Sequence, residues 1–252
     1  MLRTASLVLV LAACASPHAA AVPDARVTPD VDDGSVDAAS DARGGVPLAG
    51  FGDLAGMCGI LGEPELGGAT PQLFRDTLTF SRRFDDPADR PLLTAGGLHM
   101  IETPNAGGSS VFSEVFAYEQ LARCELASLL KTETEIVYDT PGKLTDLEVA
   151  VDGHKIGVSV TRAMTFPFGQ PYTTAAATTL IQRKLEDIQV ATTNVSAQDR
   201  WDKQVLAILA FDDQHADMVM QVWNGFDASV RADTIVLVTV THGDDTFIYT
   251  DQ

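Results

Sequence analysis

The stretch "LEVAVDGHKIGVSV" contains the feature that most restricts how this chain can fold. The pair Asp152-Gly153 separates two runs in which apolar residues alternate with other residues, and this pattern is typical of a hairpin with a two-residue turn. A turn of that length fixes which residues of the two strands face each other. We therefore expect Asp146 to lie opposite Ser159.

Successive side chains of a strand point to opposite faces of the sheet, so the hairpin has two faces of different character. One face carries only apolar residues and is a predicted core face: Leu147, Val149, Val151, Ile156, Val158 and Val160. The other face carries charged and hydroxyl residues: Asp146, Glu148, Lys155, Ser159 and Thr161. This second face is either the solvated side of an antiparallel sheet or a functional site.

Hydrophobic periodicity and turn residues predict the remaining elements of the domain. The predicted strands, in chain order, are 77–84, 96–103, 132–139, 144–151, 154–162, 203–211, 234–241 and 246–250. The predicted helices are about 110–130, 174–191 and 215–226, and residues 105–110 are a loop that can cap the first of them. This order predicts an α/β (α+β) fold with a central mixed sheet flanked by helices.

The order helix, three hairpin-linked strands, helix, strand over about residues 110–211 resembles the core of the PD-(D/E)xK nuclease superfamily, a restriction-endonuclease-like core. The phrases "LLKTETEI" and "GVSVTRAM" also resemble a poorly characterised group of proteins with this fold. In the superfamily an aspartate and an acid-x-lysine motif on neighbouring strands form the site. The resemblance places Asp146 at the aspartate, Ser159 at the second acid and Thr161 at the lysine.

The resemblance therefore implies an eroded nuclease site, because serine cannot give a metal ion an anionic ligand and threonine cannot give the phosphate a cation. Other residues could replace the lost groups. Glu148 shares a face with Asp146, Glu114 and Glu119 on the preceding helix are candidate metal ligands, and Lys184 on the following helix could supply the amine. An active enzyme would be a divergent Mg²⁺-dependent nuclease.

Net charge disfavours nucleic acid as a partner. The whole chain carries −18, of which Arg3 contributes +1 and residues 15–47 contribute −4, leaving −15 for residues 48–252. A domain this acidic repels polyphosphate and suits cationic partners or metal ions, but the sequence identifies no protein partner. A Ser-His-Asp hydrolase lacks its G-x-S-x-G motif here, and the carboxylate separation that a glycosidase needs cannot be obtained from sequence.

The N-terminal sequence indicates export. Residues 1–13 have the composition of a secretory signal peptide, and "LAAC" at their end resembles the lipobox of bacterial lipoproteins, which implies cleavage before Cys14 and its lipidation. Ala15 then favours the outer membrane, and the partner would be the membrane itself through the lipid anchor. The alternative is an ordinary signal peptide in which Cys14 has no role.

The rest of the chain divides into two parts. Residues 14–47 form a predicted disordered acidic tether, and residues 48–252 form a single predicted globular domain. In an oxidising compartment Cys58 and Cys124 could form a disulfide, or remain two separate buried thiols. The sequence thus favours a lipid-anchored cell-envelope protein with a binding or structural role, with a divergent nuclease as the alternative.

Overall fold

The computed structural model describes residues 45–104 and 110–250, and all of these fall within one compact unit. The predicted signal peptide, Cys14, most of the predicted tether and the capping loop at 105–109 lie outside the described residues. Within the described part of the chain, no helix combines the length and the apolar character needed to cross a bilayer.

A seven-stranded mixed sheet forms the centre of the domain, in the spatial order β1-β2-β7-β6-β5-β4-β3. The strands are β1 Asp53–Gly56, β2 Gln72–Phe80, β3 Ser128–Thr132, β4 Leu147–Val151, β5 His154–Ala163, β6 Lys203–Ala210 and β7 Ile235–Gly243. Strands β2, β7, β6 and β5 run parallel, whereas β1, β4 and β3 are each antiparallel to their neighbours. The predicted fold class is confirmed.

Helices cover both faces of this sheet. They are α1 Glu63–Leu66, α2 Ala95–Glu102, α3 Val111–Cys124, α4 Thr174–Asn194, α5 Asp213–Gly225, α6 Ala228–Arg231 and α7 Thr246–Tyr249. The apolar residues of α3 pack in one core with the apolar faces of β4 and β5, and those of α4 and α5 pack in a second core. The order α3, β3, β4, β5, α4, β6 is the predicted helix, three antiparallel strands, helix and strand.

The hairpin between β4 and β5 has the predicted register. Asp152 and Gly153 form the turn with φ of 48° and 83°, left-handed values that the Asp-Gly pair tolerates. Val151 consequently pairs with His154, and Leu147 pairs with Val158. Every residue of the predicted core face is buried: Leu147, Val149, Val151, Ile156, Val158 and Val160.

Two predicted strands are helices in the structure. Residues 96–102 belong to α2, whose first turn is capped by Thr94: its side chain accepts a hydrogen bond from the Gly97 N–H at 3.2 Å. Residues 246–250 contain α7, in which Phe247, Ile248 and Tyr249 are all buried. The predictions were wrong because short apolar runs do not separate a strand from a buried helix by periodicity.

The region between α3 and β4 also differs from its prediction. The helix ends at Cys124 rather than near residue 130, and the following strand, β3, occupies Ser128–Thr132 instead of 132–139. Thr132 ends this strand, because its N–H and hydroxyl donate to Glu135 Oε2 at 2.9 and 3.0 Å and start a short 3-10 turn.

Cys58 and Cys124 are joined by a disulfide, with their Cα atoms 4.5 Å apart. The bond links the segment after β1 to the last residue of α3. The adjoining Glu125 carboxylate accepts hydrogen bonds from the N–H groups of Gly59 and Leu61 at 3.1 and 2.8 Å. Covalent and polar contacts thus fix the C-terminal end of α3 against the N-terminal segment of the domain.

Candidate functional site

Asp146 immediately precedes β4 and is held against β5. Its N–H donates to the Val158 carbonyl at 2.9 Å, which extends the antiparallel ladder by one residue. Its carboxylate atom Oδ2 accepts one hydrogen bond from the Ser159 hydroxyl at 3.1 Å and a second from the Val160 N–H. The pairing of Asp146 with Ser159 is therefore the one that the two-residue turn predicts.

The electrostatic surroundings of Asp146 act in both directions. Burial raises the pKa of the Asp146 carboxyl, whereas the positive charge of Lys184 and the two hydrogen bonds lower that pKa to a smaller extent. The Lys184 ammonium group donates to the Val160 carbonyl at 3.0 Å, so α4 brings it close to Asp146. Lys184 thus occupies the neighbourhood in which an amine could replace the lost lysine.

Asp146 lines a small cavity of about 20 Å³. Its other lining residues come from the end of α2, the start of α3 and the region after β3: Met100, Thr103, Pro104, Glu114, Thr132 and Glu133. The structure thus brings Glu114 beside Asp146, as predicted. Glu133 was not among the predicted site residues, because it lay inside a predicted strand. The space corresponds to about one water molecule and is too small for a phosphodiester.

Glu119, unlike Glu114 on the same helix, does not line the cavity at Asp146. It is completely buried, and its Oε1 accepts hydrogen bonds from the N–H and hydroxyl of Thr94 at 2.9 and 2.6 Å. Burial raises the pKa of this carboxyl, and the Thr94 hydrogen bonds partly offset that increase. Glu119 therefore holds the start of α2 against α3, and it is Glu114 that contributes to the cavity at Asp146.

Glu148 and Ser159 are buried, so the part of the polar face that they form is not the solvated side of the sheet. Glu148 is 0% exposed, and its Oε1 lies 3.1 Å from the ammonium nitrogen of Lys155. Opposite Glu148, the backbone of Gly157 lies against the Trp201 ring, where a Cβ atom would come within 2.5 Å of ring carbons. The face is covered by protein because Trp201 packs where solvent was expected.

Thr161 completes the set of predicted site residues. It is half-buried on β5 and pairs with Ile208 of β6, one step further from Asp146 than Ser159 along the same face of the strand. A neutral hydroxyl thus stands at the position that the resemblance aligns with the lysine.

The donor set around Asp146 does not fit the Mg²⁺ centre that the sequence resemblance implies. The second motif position is Ser159, which gives its hydrogen bond to Asp146 and adds no negative charge. The Asp146 oxygen that it contacts already accepts two hydrogen bonds from protein donors. Over residues 45–104 and 110–250, no group of three His, Cys, Asp or Glu side chains is arranged to hold a metal ion.

Comparisons with known proteins give two similarities. No protein-family profile matches the chain. Over 153 residues the chain is 38% identical to the AAC-rich mRNA clone AAC4 protein of Dictyostelium discoideum, a match that covers 58% of this chain and 22% of the relative. The chain thus spans about a fifth of that relative's length.

Among solved structures, the chain is similar to that of Pyrococcus furiosus SfsA in complex with Ca²⁺. The similarity covers 54% of this chain and 57% of SfsA, with 11% identity and a TM-score of 0.29.

Proposed function

We propose that this chain is a lipid-anchored protein of the bacterial cell envelope, held at the outer membrane, whose nuclease-like domain serves a binding or structural role. The motif "LAAC" supports the anchor, since Cys14 falls where the apolar run of the signal sequence stops. Acyl chains on Cys14 would hold the protein at the membrane, and the acidic tether would separate the domain from the lipid surface.

The observation that carries the non-catalytic role is the hydrogen bond from Ser159 to Asp146. In a working site this position would present a second carboxylate to a metal ion. Here its hydroxyl instead occupies a lone pair of the remaining aspartate, and the cavity beside it has room for about one water molecule. The arrangement supports a polar contact that holds β4 to β5 rather than a site for phosphodiester hydrolysis.

A divergent Mg²⁺-dependent nuclease is the second candidate, and two contacts favour it. Glu114 lines the same cavity as Asp146, and Lys184 is close enough to lower the pKa of the Asp146 carboxyl. Asp146 and Glu114 would then bind the ion, and Lys184 would supply the positive charge that Thr161 cannot. The acidic surface of the domain opposes this function because it repels nucleic acid.

A cleavage assay separates the two candidates. The purified protein is incubated with plasmid DNA and with single-stranded RNA in Mg²⁺ or Mn²⁺, with EDTA as the metal-free control. We expect both substrates to stay intact. Cleavage that requires the metal and disappears in Asp146→Asn would instead establish the nuclease. Asp86→Asn, which alters an N-terminal cap elsewhere in the domain, serves as the matched variant.

The anchor is tested independently by intact mass and by membrane fractionation. The wild-type protein is expected to carry acyl mass and to sediment with membranes, whereas Cys14→Ser is expected to lose both properties. A wild-type protein that is unacylated and soluble would contradict the lipoprotein proposal without affecting the conclusion about the domain.

A further inference from the structure

An open cavity lies beyond the carboxyl ends of β5 and β6, away from Asp146. Its volume is about 360 Å³. The residues that give it its character are Met164, Phe168, Tyr172, Phe211, Asp212 and His215, which we call the aromatic pocket. Small-molecule sites typically measure about 300 to 1,000 Å³, and open α/β sheets bind ligands at the carboxyl ends of their strands.

Aromatic rings form the walls of this pocket. Phe168 and Phe211 pack edge to face with ring centroids 4.8 Å apart, and Tyr249 stacks on Phe168 at 5.5 Å. On the other side, the ring centroids of Tyr172 and His215 are 4.9 Å apart. Several aromatic rings around one space attract a cation, because the face of each ring carries partial negative charge.

Tyr172 contributes its aromatic ring to the wall of the pocket. The residue is 6% exposed, and its hydroxyl has no hydrogen-bond partner among the described residues. The hydroxyl oxygen is itself closed to solvent, so a ligand in the pocket would meet the ring and not this oxygen. Burial also raises the pKa of this phenol, so it stays neutral at physiological pH.

Asp212 supplies a negative charge at the pocket. Its carboxylate caps α5 by accepting the His215 N–H at 2.7 Å. His215 Nδ1 lies 2.8 Å from the Ala163 carbonyl, which can only accept, so Nδ1 donates to it. The Asp212 carboxylate favours a positively charged ligand.

We infer that the aromatic pocket binds a small organic ammonium ion of about the size of choline. The aromatic walls would contact the alkylated ammonium group, and Asp212 would supply the opposite charge. The strongly acidic domain raises the local concentration of cations around this pocket. Binding in the aromatic pocket is independent of whether the Asp146 site is catalytic.

Calorimetric titration of the full-length protein tests this inference with two probes. Choline is compared with 3,3-dimethyl-1-butanol, which has the same shape and hydroxyl but no charge. We expect saturable binding of choline that is at least about tenfold tighter than that of the neutral probe, since cation–π contact and one carboxylate together exceed about 1.4 kcal/mol. Equal binding of the two probes, or no binding of choline, would overturn the inference.

Two variants locate the binding. Asp212→Asn removes the charge but keeps an equally good helix N-cap, so we expect choline affinity to fall about tenfold while the neutral probe is unaffected. Phe211→Leu removes an aromatic wall of the pocket and is expected to lower choline affinity by a similar factor. Asp86→Asn, a capping carboxylate outside the pocket, is expected to bind choline like the wild type. Unchanged choline binding in Asp212→Asn would contradict the assignment, provided that circular dichroism shows an unaltered helix content.

Discussion

The Asp146 cavity and the aromatic pocket differ in nearly every property that matters for binding. The first measures about 20 Å³ and the second about 360 Å³. Asp146 has its side-chain oxygen Oδ2 engaged by Ser159 and Val160, whereas the Tyr172 hydroxyl has no partner among the described residues. Residues with catalytic potential can thus be enclosed by their own neighbours, whereas aromatic residues that carry no motif can leave an open site.

The two regions also differ in how they treat buried polar groups. Burial raises the pKa of several carboxyls on α3 or in contact with its surroundings: Asp76, Glu119, Glu125 and Asp146. Hydrogen bonds satisfy these carboxylates in part and connect elements to each other. In the aromatic pocket the unsatisfied group is a neutral phenol. We therefore expect changes to the buried carboxyls around α3 and Asp146 to alter stability, and changes to the aromatic pocket to alter ligand binding.

Loss of the disulfide should have the largest effect on stability. The bond closes a loop with a sequence separation of 66, for which chain entropy gives about 4 kcal/mol at 25 °C. Urea unfolding measures this loss of unfolding free energy when the double variant Cys58→Ala, Cys124→Ala is compared with wild type. Choline affinity of the folded variant should stay within about twofold of wild type, because the disulfide lies outside the pocket. A large loss of affinity would show that the two regions are coupled.

Asp76 should make stability fall as pH rises. Its pKa is raised from 3.8 to about 7, chiefly by burial, so between those values the folded state binds a proton that the unfolded state has released. Stability is therefore lost from about pH 4 to pH 7 and stays lower above that range. Asp76→Asn remains neutral and should not show this loss.

Thermal unfolding from pH 4 to pH 8 checks this prediction. The free energy of unfolding of Asp76→Asn, relative to that of wild type, should increase across that range by on the order of 3 kcal/mol. The Gln120 side chain, which donates to Asp76 at 2.6 Å, can donate to the asparagine carbonyl as well. A difference between the two proteins that is constant with pH would contradict a raised pKa at Asp76.

Asp146→Ala should be less stable than wild type by about 2 kcal/mol, because it leaves the Ser159 hydroxyl and the Val160 N–H without their acceptor. Asp146→Asn keeps an acceptor oxygen and should lose less than half as much. Urea unfolding of both variants measures the difference. If Asp146→Ala has the same free energy of unfolding as wild type, the hydrogen bonds of Asp146 do not stabilise the fold. The contrast between a closed Asp146 site and an open aromatic pocket would then lose its support.

Tyr172→Phe should have the smallest effect and the opposite sign. Removing a hydroxyl that is buried without a partner should raise the unfolding free energy by about 1 kcal/mol. The same change should leave choline affinity within about twofold of wild type, because the hydroxyl oxygen is closed to solvent while the aromatic ring that lines the pocket is retained. Differential scanning calorimetry with and without choline measures both effects. A variant that is less stable than wild type would indicate that the hydroxyl is satisfied in the free protein.

The sequence by itself determined the hairpin and the order of the core elements. The Asp152-Gly153 turn fixed the register because its length leaves one pairing, and alternation then placed Leu147, Val149 and Val151 in the core. The order from α3 to β6 followed from periodicity over long segments. Short segments such as α2 and α7 could not be assigned, since their capping and burial depend on partners distant in sequence.

Only the tertiary structure decided what surrounds the functional candidates. Trp201 covers the hairpin face that carries Glu148, Lys184 reaches Asp146 from α4, and Glu119 turns toward Thr94 instead of the cavity. The aromatic pocket joins residues from two separate segments, neither of which forms a motif. Local patterns specify pairing within a hairpin, but burial, cavity size and hydrogen-bond partners depend on how distant elements pack, and that information is not contained in any short stretch of sequence.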